Sequence, residues 1–378
     1  MNKKLKVLPI LAMGLMLVAC NGGTSSSSKP TSKNDDVNFT LKVGSYVALG
    51  SNANQIEVST AAVILKEDKI VDAYFDVLQA PFKIESTTDK KTEKVTYTVS
   101  LDTTTNQTKQ AGDKVIETKQ ELKERYGMTK GDETKEGEWN VQAANFAKYT
   151  VGKTIDEVTS KNYKSHYNKD GTEVVAGCSI SQKNFTTALK VITDTKTFKA
   201  PAGKVSAGLG YKVSALSTDN VLTVTLAGSA TDKDGKIYET SINAYQIPVT
   251  VDGSSVTSPK IAIDTSKKQA TVANFKDHTV ASGENTYYTS VLSKRELKEL
   301  YAMKENNEDA QKMEWYNQAN NFAKYAKGKI ASEIAGKSYK SKHNENGTVE
   351  VPGCTITMED FAVAIGKSAT NKSGLTAK

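Results

Sequence analysis

Glu138-Trp139-Asn140-Val141-Gln142-Ala143-Ala144-Asn145-Phe146-Ala147-Lys148-Tyr149 returns 176 residues later as Glu314-Trp315-Tyr316-Asn317-Gln318-Ala319-Asn320-Asn321-Phe322-Ala323-Lys324-Tyr325. Within it Trp139, Ala143, Phe146 and Tyr149 recur every three to four residues, which predicts an amphipathic helix whose aromatic stripe packs on a sheet. The echo extends in both directions. Upstream, the ten residues from Lys119 to Met128 match those from Lys294 to Met303, and downstream Tyr163-Lys164-Ser165 matches Tyr339-Lys340-Ser341. Gly177-Cys178-Ser179-Ile180 matches Gly353-Cys354-Thr355-Ile356, and Gln79-Ala80-Pro81 more faintly matches Gln246-Ile247-Pro248 at the shorter offset of 167.

A period this long points to two copies of one domain rather than a solenoid. Their expected limits are 37–196 and 204–371, with a short join near Ala200-Pro201-Ala202-Gly203. Each front half is β-patterned, with alternating or β-branched runs at 37–49, 55–66, 69–78 and 94–101, then 221–226, 236–251 and 260–272. Each back half is helical. The expected class is α+β, twice over.

Outside the repeats, the first twenty residues resemble a lipoprotein signal peptide. Lys3, Lys4 and Lys6 make a basic start, and Leu5 to Ala19 form an apolar run too short to span a bilayer. The run ends Leu17-Val18-Ala19-Cys20, which resembles the lipobox of bacterial lipoproteins, where the cysteine thiol is diacylated. Residues 21–36 hold almost nothing to bury and read as a disordered tether of roughly 20–25 Å mean span. The expected place is the outer face of a cell membrane, held by lipid. The formal charge of +7 falls to +4 without the three leader lysines, too little and too dispersed for nucleic acid. Besides Cys20 only Cys178 and Cys354 remain, too few for a disulfide scaffold.

Chemistry is expected at Gly177-Cys178-Ser179 and Gly353-Cys354-Thr355. Helical patterns follow both, with Ser181 and Thr357 as expected N-caps and Asp360 as a capping-box acid. Ser179 and Thr355 would then lie two residues ahead of a helix, where unpaired N–H groups favour a phosphate. The cysteines read first as fillers of small apolar niches, with pairing, metal binding and redox thiols as the other options. Asn145, Phe146, Tyr163 and their partners Asn321, Phe322 and Tyr339 read first as core and second as flanks for a planar ring. His166, His278 and His343 do not repeat in register, which argues against a duplicated metal site or a catalytic triad.

The Gly-Cys-Ser/Thr segment resembles the flavinylation motif of FMN-binding domains modified by an ApbE-type flavin transferase. With the other shared motifs and the lipobox, the chain resembles the PplA-like flavinylated lipoproteins of Gram-positive extracellular electron transfer. The resemblance implies two covalent FMN groups, attached by phosphodiester bonds to Ser179 and Thr355. Gly177, Cys178, Gly353 and Cys354 would complete the cofactor sites, the glycines giving the transferase close access. It further implies an electron carrier more than a substrate-specific enzyme. Its partners would be the transferase, a membrane quinol-linked donor, and external acceptors such as ferric iron or soluble flavins. The motif departs from the family's in having Ala176 or Pro352 before the glycine and a cysteine for the usual alanine. An upstream acid, Glu173, stands six residues before Ser179, whereas Val349 holds that place before Thr355, with Glu350 next to it. The other class of reading is a duplicated ligand-binding or adhesion lipoprotein without redox activity.

Overall fold

The β-patterned runs form antiparallel ladders in the computed structural model, which describes residues 36–50, 54–103, 116–129, 136–254, 258–264, 291–306, 313–374. Cys20 and most of the expected tether, His278 and the end of the run expected at 260–272 lie outside these. Strands β1 (Asp36–Leu49), β2 (Gln55–Lys66), β3 (Lys69–Thr88), β4 (Val95–Leu101) and β5 (Ile192–Pro201) make one sheet, ordered β4-β3-β2-β1-β5. Strands β6 (Ser206–Val213), β7 (Val221–Thr231), β8 (Ile237–Asp252) and β9 (Lys260–Ile263) make a second, ordered β6-β7-β8-β9. The class is α+β.

Two readings from the sequence need correction. The strand expected to end at Leu78 runs on through Pro81 to Thr88. Proline lacks the N–H that a ladder needs, so it usually interrupts a strand. Here it marks the point where β3 leaves β2 for β4: Gln55 pairs with Pro81, and Phe82 pairs with Leu101. The Pro81 carbonyl accepts from Asp102 N at 2.8 Å, and the Pro248 carbonyl of β8 accepts from Asp264 N at 2.9 Å. The segment expected as a join is also structured at its start, because β5 continues to Pro201 and pairs there with Asp36.

The helices are α1 (Lys119–Leu122), α2 (Trp139–Thr150), α3 (Ile155–Thr159), α4 (Lys183–Lys190), α5 (Lys294–Leu297), α6 (Met303–Asn306), α7 (Trp315–Ala326), α8 (Ala331–Ile334) and α9 (Glu359–Thr370). A 3-10 turn follows α1 (Lys123–Tyr126), and another follows α5 (Lys298–Tyr301). Thr118 and Ser293 start α1 and α5 with reciprocal capping boxes to Glu121 and Glu296.

Period-two alternation decides which side chains meet which layer. Val58, Ala62 and Ile64 of β2 face the second sheet, packing in one core with Leu209, Tyr211, Leu222, Val224, Leu226 and Tyr245. Ala61, Val63 and Leu65 point the other way, to Trp139, Phe146 and Phe185 on α2 and α4. Ile242 and Ala244 of β8 likewise meet Trp315, Phe322 and Phe361 on α7 and α9. The layers run helices, sheet, sheet, helices. With both faces of each sheet covered, the central strands are buried over most of their length.

Polar contacts cross between the sheets as well. Tyr245 Oη lies 2.9 Å from both Ser45 Oγ and the Ser45 carbonyl, and Asp72 accepts from Ala207 N at 2.7 Å. Among the described residues no helix is long and apolar enough to cross a membrane.

Candidate functional site

Ser179 and Thr355 occupy matching places on loops that lead into α4 and α9. Each is partly exposed, between a buried cysteine and a largely buried aliphatic residue. The helices begin later than expected: Gln182 and Met358, not Ser181 and Thr357, hold the N-cap positions. Ser181 Oγ reaches Lys183 N only at 3.4 Å, and Asp360 accepts from Ser214 Oγ at 2.9 Å instead of closing a capping box. The acceptor residues therefore lie four positions before the first helical residue.

Their N–H groups are already engaged. Gln142, fully buried on α2, places Oε1 2.8 Å from Ser179 N, 3.1 Å from Ile180 N and 3.2 Å from Ser179 Oγ. Gln318, fully buried on α7, does the same with Thr355 N at 2.8 Å, Ile356 N at 3.3 Å and Thr355 Oγ1 at 3.2 Å. This corrects the expectation of free N–H groups waiting for a phosphate, since a glutamine carbonyl fills that place in both halves. The carbonyls of the acceptor residues are pinned too, by His166 N and Lys342 N, each at 2.8 Å.

A second side chain on each helix fixes the glycine. Asn145 Nδ2 donates to the Gly177 carbonyl at 2.8 Å, and Asn321 Nδ2 to that of Gly353 at 3.0 Å. Both glycines are left-handed, at φ 70° and 73°, and a Cβ on either would collide with the asparagine amide. Backbone geometry and this contact together require glycine there.

Support for the two loops recurs in pairs. The Glu138 carboxylate accepts from Met128 N at 2.9 Å and that of Glu314 from Met303 N at 3.0 Å. Lys119 stands over the rings of Tyr126 and Trp139, and Lys294 over those of Tyr301 and Trp315. Tyr163 Oη donates to the Val158 carbonyl and Tyr339 Oη to that of Ile334, both at 2.8 Å. Phe146, Phe322 and Tyr339 are fully buried and Tyr163 nearly so, which makes these rings core.

Cys178 and Cys354 are buried and unpaired with each other. Burial pushes their thiols up to about 11 and about 12, so both stay protonated at neutral pH and lack thiolate reactivity. Cys354 Sγ donates to the Gln318 carbonyl, and Gln182 Nε2 approaches Cys178 Sγ at 3.6 Å. Glu173, the acid upstream of Ser179, is taken up by Tyr149 Oη at 2.5 Å and by Lys161 at 3.7 Å. Among the described residues no group of three or more His, Cys, Asp or Glu side chains is placed to hold a metal ion.

Beside Thr355 lies a cavity of about 850 Å³, lined by Lys340, Lys342, Glu345, Glu350, Pro352 and Thr355 among others. Lys340 pairs with Glu350 at 2.9 Å at its rim. The volume suits a cofactor-sized group, and the two lysines in the lining are matched by two glutamates. Lys164 and His166 hold the positions before Ser179 that Lys340 and Lys342 hold before Thr355. Gln142 and Gln318 were visible in the sequence as part of the repeated stretch. Their role was not, since nothing in the sequence links a mid-helix glutamine to a loop 37 residues away. Searches of family models, curated proteins and solved structures find no match to this chain.

Proposed function

We propose that the chain is a lipid-anchored extracellular electron carrier, built from two copies of one FMN-binding domain and flavinylated at Ser179 and Thr355. The observation that carries the reading is the paired geometry of the two hydroxyls. Each is partly exposed, held by a buried glutamine, and set beyond a left-handed glycine that an asparagine covers. A hydroxyl stands at this point in both halves, serine in one and threonine in the other. The cavity at Thr355, lined by Lys340 and Lys342 as well as Glu345 and Glu350, would give the ring a place to lie. The attached flavin would supply one- and two-electron chemistry, while the protein supplies position and electrostatics.

In this reading Cys20 carries the lipid and residues 21–36 give reach. Electrons would come from a membrane quinol-linked donor and leave to ferric iron or soluble flavins. A covalent bond keeps the cofactor where a dissociated one would diffuse away.

The test is intact mass of the chain made with an ApbE-type transferase. Two FMN additions are expected, one lost in Ser179→Ala, one in Thr355→Ala and both in the double variant, with visible flavin absorption falling in step. An unmodified, colourless wild-type chain would sink the proposal and favour a ligand-binding or adhesive lipoprotein.

A further inference from the structure

We propose that Gln142 and Gln318 are the positioning residues for flavin transfer to Ser179 and Thr355, an inference that rests on the flavinylation reading above. Each glutamine is fully buried on a helix that also packs into the core, so its rotamer is fixed by its surroundings. The amide of Gln142 is oriented as well. Its Nε2 donates to the Gly137 carbonyl at 2.8 Å and stands 3.5 Å from Met128 Sδ. Gln318 Nε2 faces Met303 Sδ at 3.7 Å. Oε1 must therefore face the acceptor loop in both halves.

That oxygen meets three donors with two lone pairs. In both halves the acceptor's N–H is closest, at 2.8 Å, while the hydroxyl lies at 3.2 Å. The backbone is thus held firmly and the hydroxyl loosely. Its proton points inward to the amide, and the oxygen lone pairs face outward, where an electrophile would arrive.

The chemistry fits this division of labour. A phosphodiester forms on a hydroxyl only from an activated flavin phosphate, here a flavin dinucleotide. The Oγ–P bond forms as the phosphoanhydride bond breaks, and the nucleoside monophosphate leaves with that bond's electron pair. The hydroxyl, held at only 3.2 Å, turns its proton from the glutamine to a base on the transferase as the bond forms, and no group is oxidised or reduced. Glutamine is not basic and takes no proton. Its contribution is aim, and aim alone carries large rate factors in transfer reactions.

The experiment follows modification of the full-length chain by its transferase over time, with each site resolved by peptide mass. Gln318→Ala and the nearly isosteric Gln318→Met should slow Thr355 by at least about tenfold, the equivalent of about 1.4 kcal/mol in the barrier. Ser179 on the same molecules should proceed at the wild-type rate. Gln142→Met should give the mirror result. The chain concentration giving half-maximal rate should stay unchanged while turnover falls, a split that general loosening of the fold would not produce. Wild-type modification of Thr355 in a folded Gln318→Met chain overturns the inference. So does an equal loss at both sites in each single variant. A wild-type chain modified at neither residue defeats the flavinylation reading itself, and is seen before any variant is made.

Discussion

Asp76 and Asn243 hold equivalent places in the two sheets, and their contacts agree atom for atom. Asp76 Oδ1 accepts from Val77 N at 2.8 Å and Gln120 N at 3.1 Å, while Asn243 Oδ1 accepts from Ala244 N at 2.8 Å and Arg295 N at 3.3 Å. Either side chain can offer that one oxygen to two N–H donors, so the protonation of Asp76 is set by its surroundings and not by these contacts. Burial pushes Asp76 up to about 8, and Glu121 adds to the rise. The sign follows from linkage: the folded state keeps the proton that an unfolded Asp loses near pH 4. Stability should therefore fall as pH rises from about 4 to about 8, and level off above. Asp76→Asn should flatten that part of the urea-unfolding profile and stabilise the chain at pH 8 by at least about 1.4 kcal/mol, the worth of one pKa unit. An unchanged slope would show that Asp76 is ionised in the fold. At this scale the sequence was half legible. Glycine and hydroxyl acceptors stand out in a repeated motif, whereas the protonation of Asp76 depends on burial between a strand and a short helix 44 residues away.

Elements were legible where periodicity was strong and silent where capping or pairing was unusual. β1 and β2 appear within one residue of their expected ends, because β-branched and apolar runs bounded by turn residues leave a clear trace. The starts of α4 and α9 were misread, since Gln182 and Met358 lack the short polar side chain that marks an N-cap. β6 was missed because Gly208 and Gly210 depress strand propensity, although the whole run from Ser206 to Tyr211 is buried. The aromatic stripe of α2 and α7 was read correctly as core. Phe146 lies 5.3 Å from both Phe75 and Phe185, and Phe322 lies 5.7 Å from Phe361 and 5.1 Å from Tyr339. Because these helices carry the glutamines and asparagines that hold the acceptor loops, packing and site are one construction. Phe322→Ala should cost about 3–5 kcal/mol by denaturant unfolding. A loss under 1 kcal/mol would mean that the site tolerates a loosened α7.

At the scale of the whole molecule, the decisive feature is the core that the two sheets share. Residues Asp35–Lys378 cluster as a single compact unit, and the largest apolar cluster draws on both sheets at once. Polar contacts reinforce it reciprocally. The strand after α4 sends Asp194 to Arg295 at 3.2 Å and to Ser241 at 2.6 Å. The end of α9 and the residues beyond it send Lys367 to Glu121 at 2.8 Å and Ser373 to Asp72 at 2.5 Å. Internal repetition is plain in the sequence, but this mutual burial is not, because a strand patterned for two covered faces does not reveal what covers them. Separating the halves would expose the inner face of each sheet, a far larger apolar surface than a soluble domain carries. The chain should therefore unfold in one cooperative step. Its two tryptophans offer the means to check this, since Trp139 packs under the first sheet and Trp315 under the second. Trp315→Phe leaves a reporter on the first half, and Trp139→Phe leaves one on the second. Urea transitions followed by fluorescence in the two variants should each coincide with that variant's own far-ultraviolet circular dichroism. A fluorescence midpoint clearly displaced from the circular dichroism midpoint would show that the halves unfold separately, and that the shared core contributes less than its extent implies.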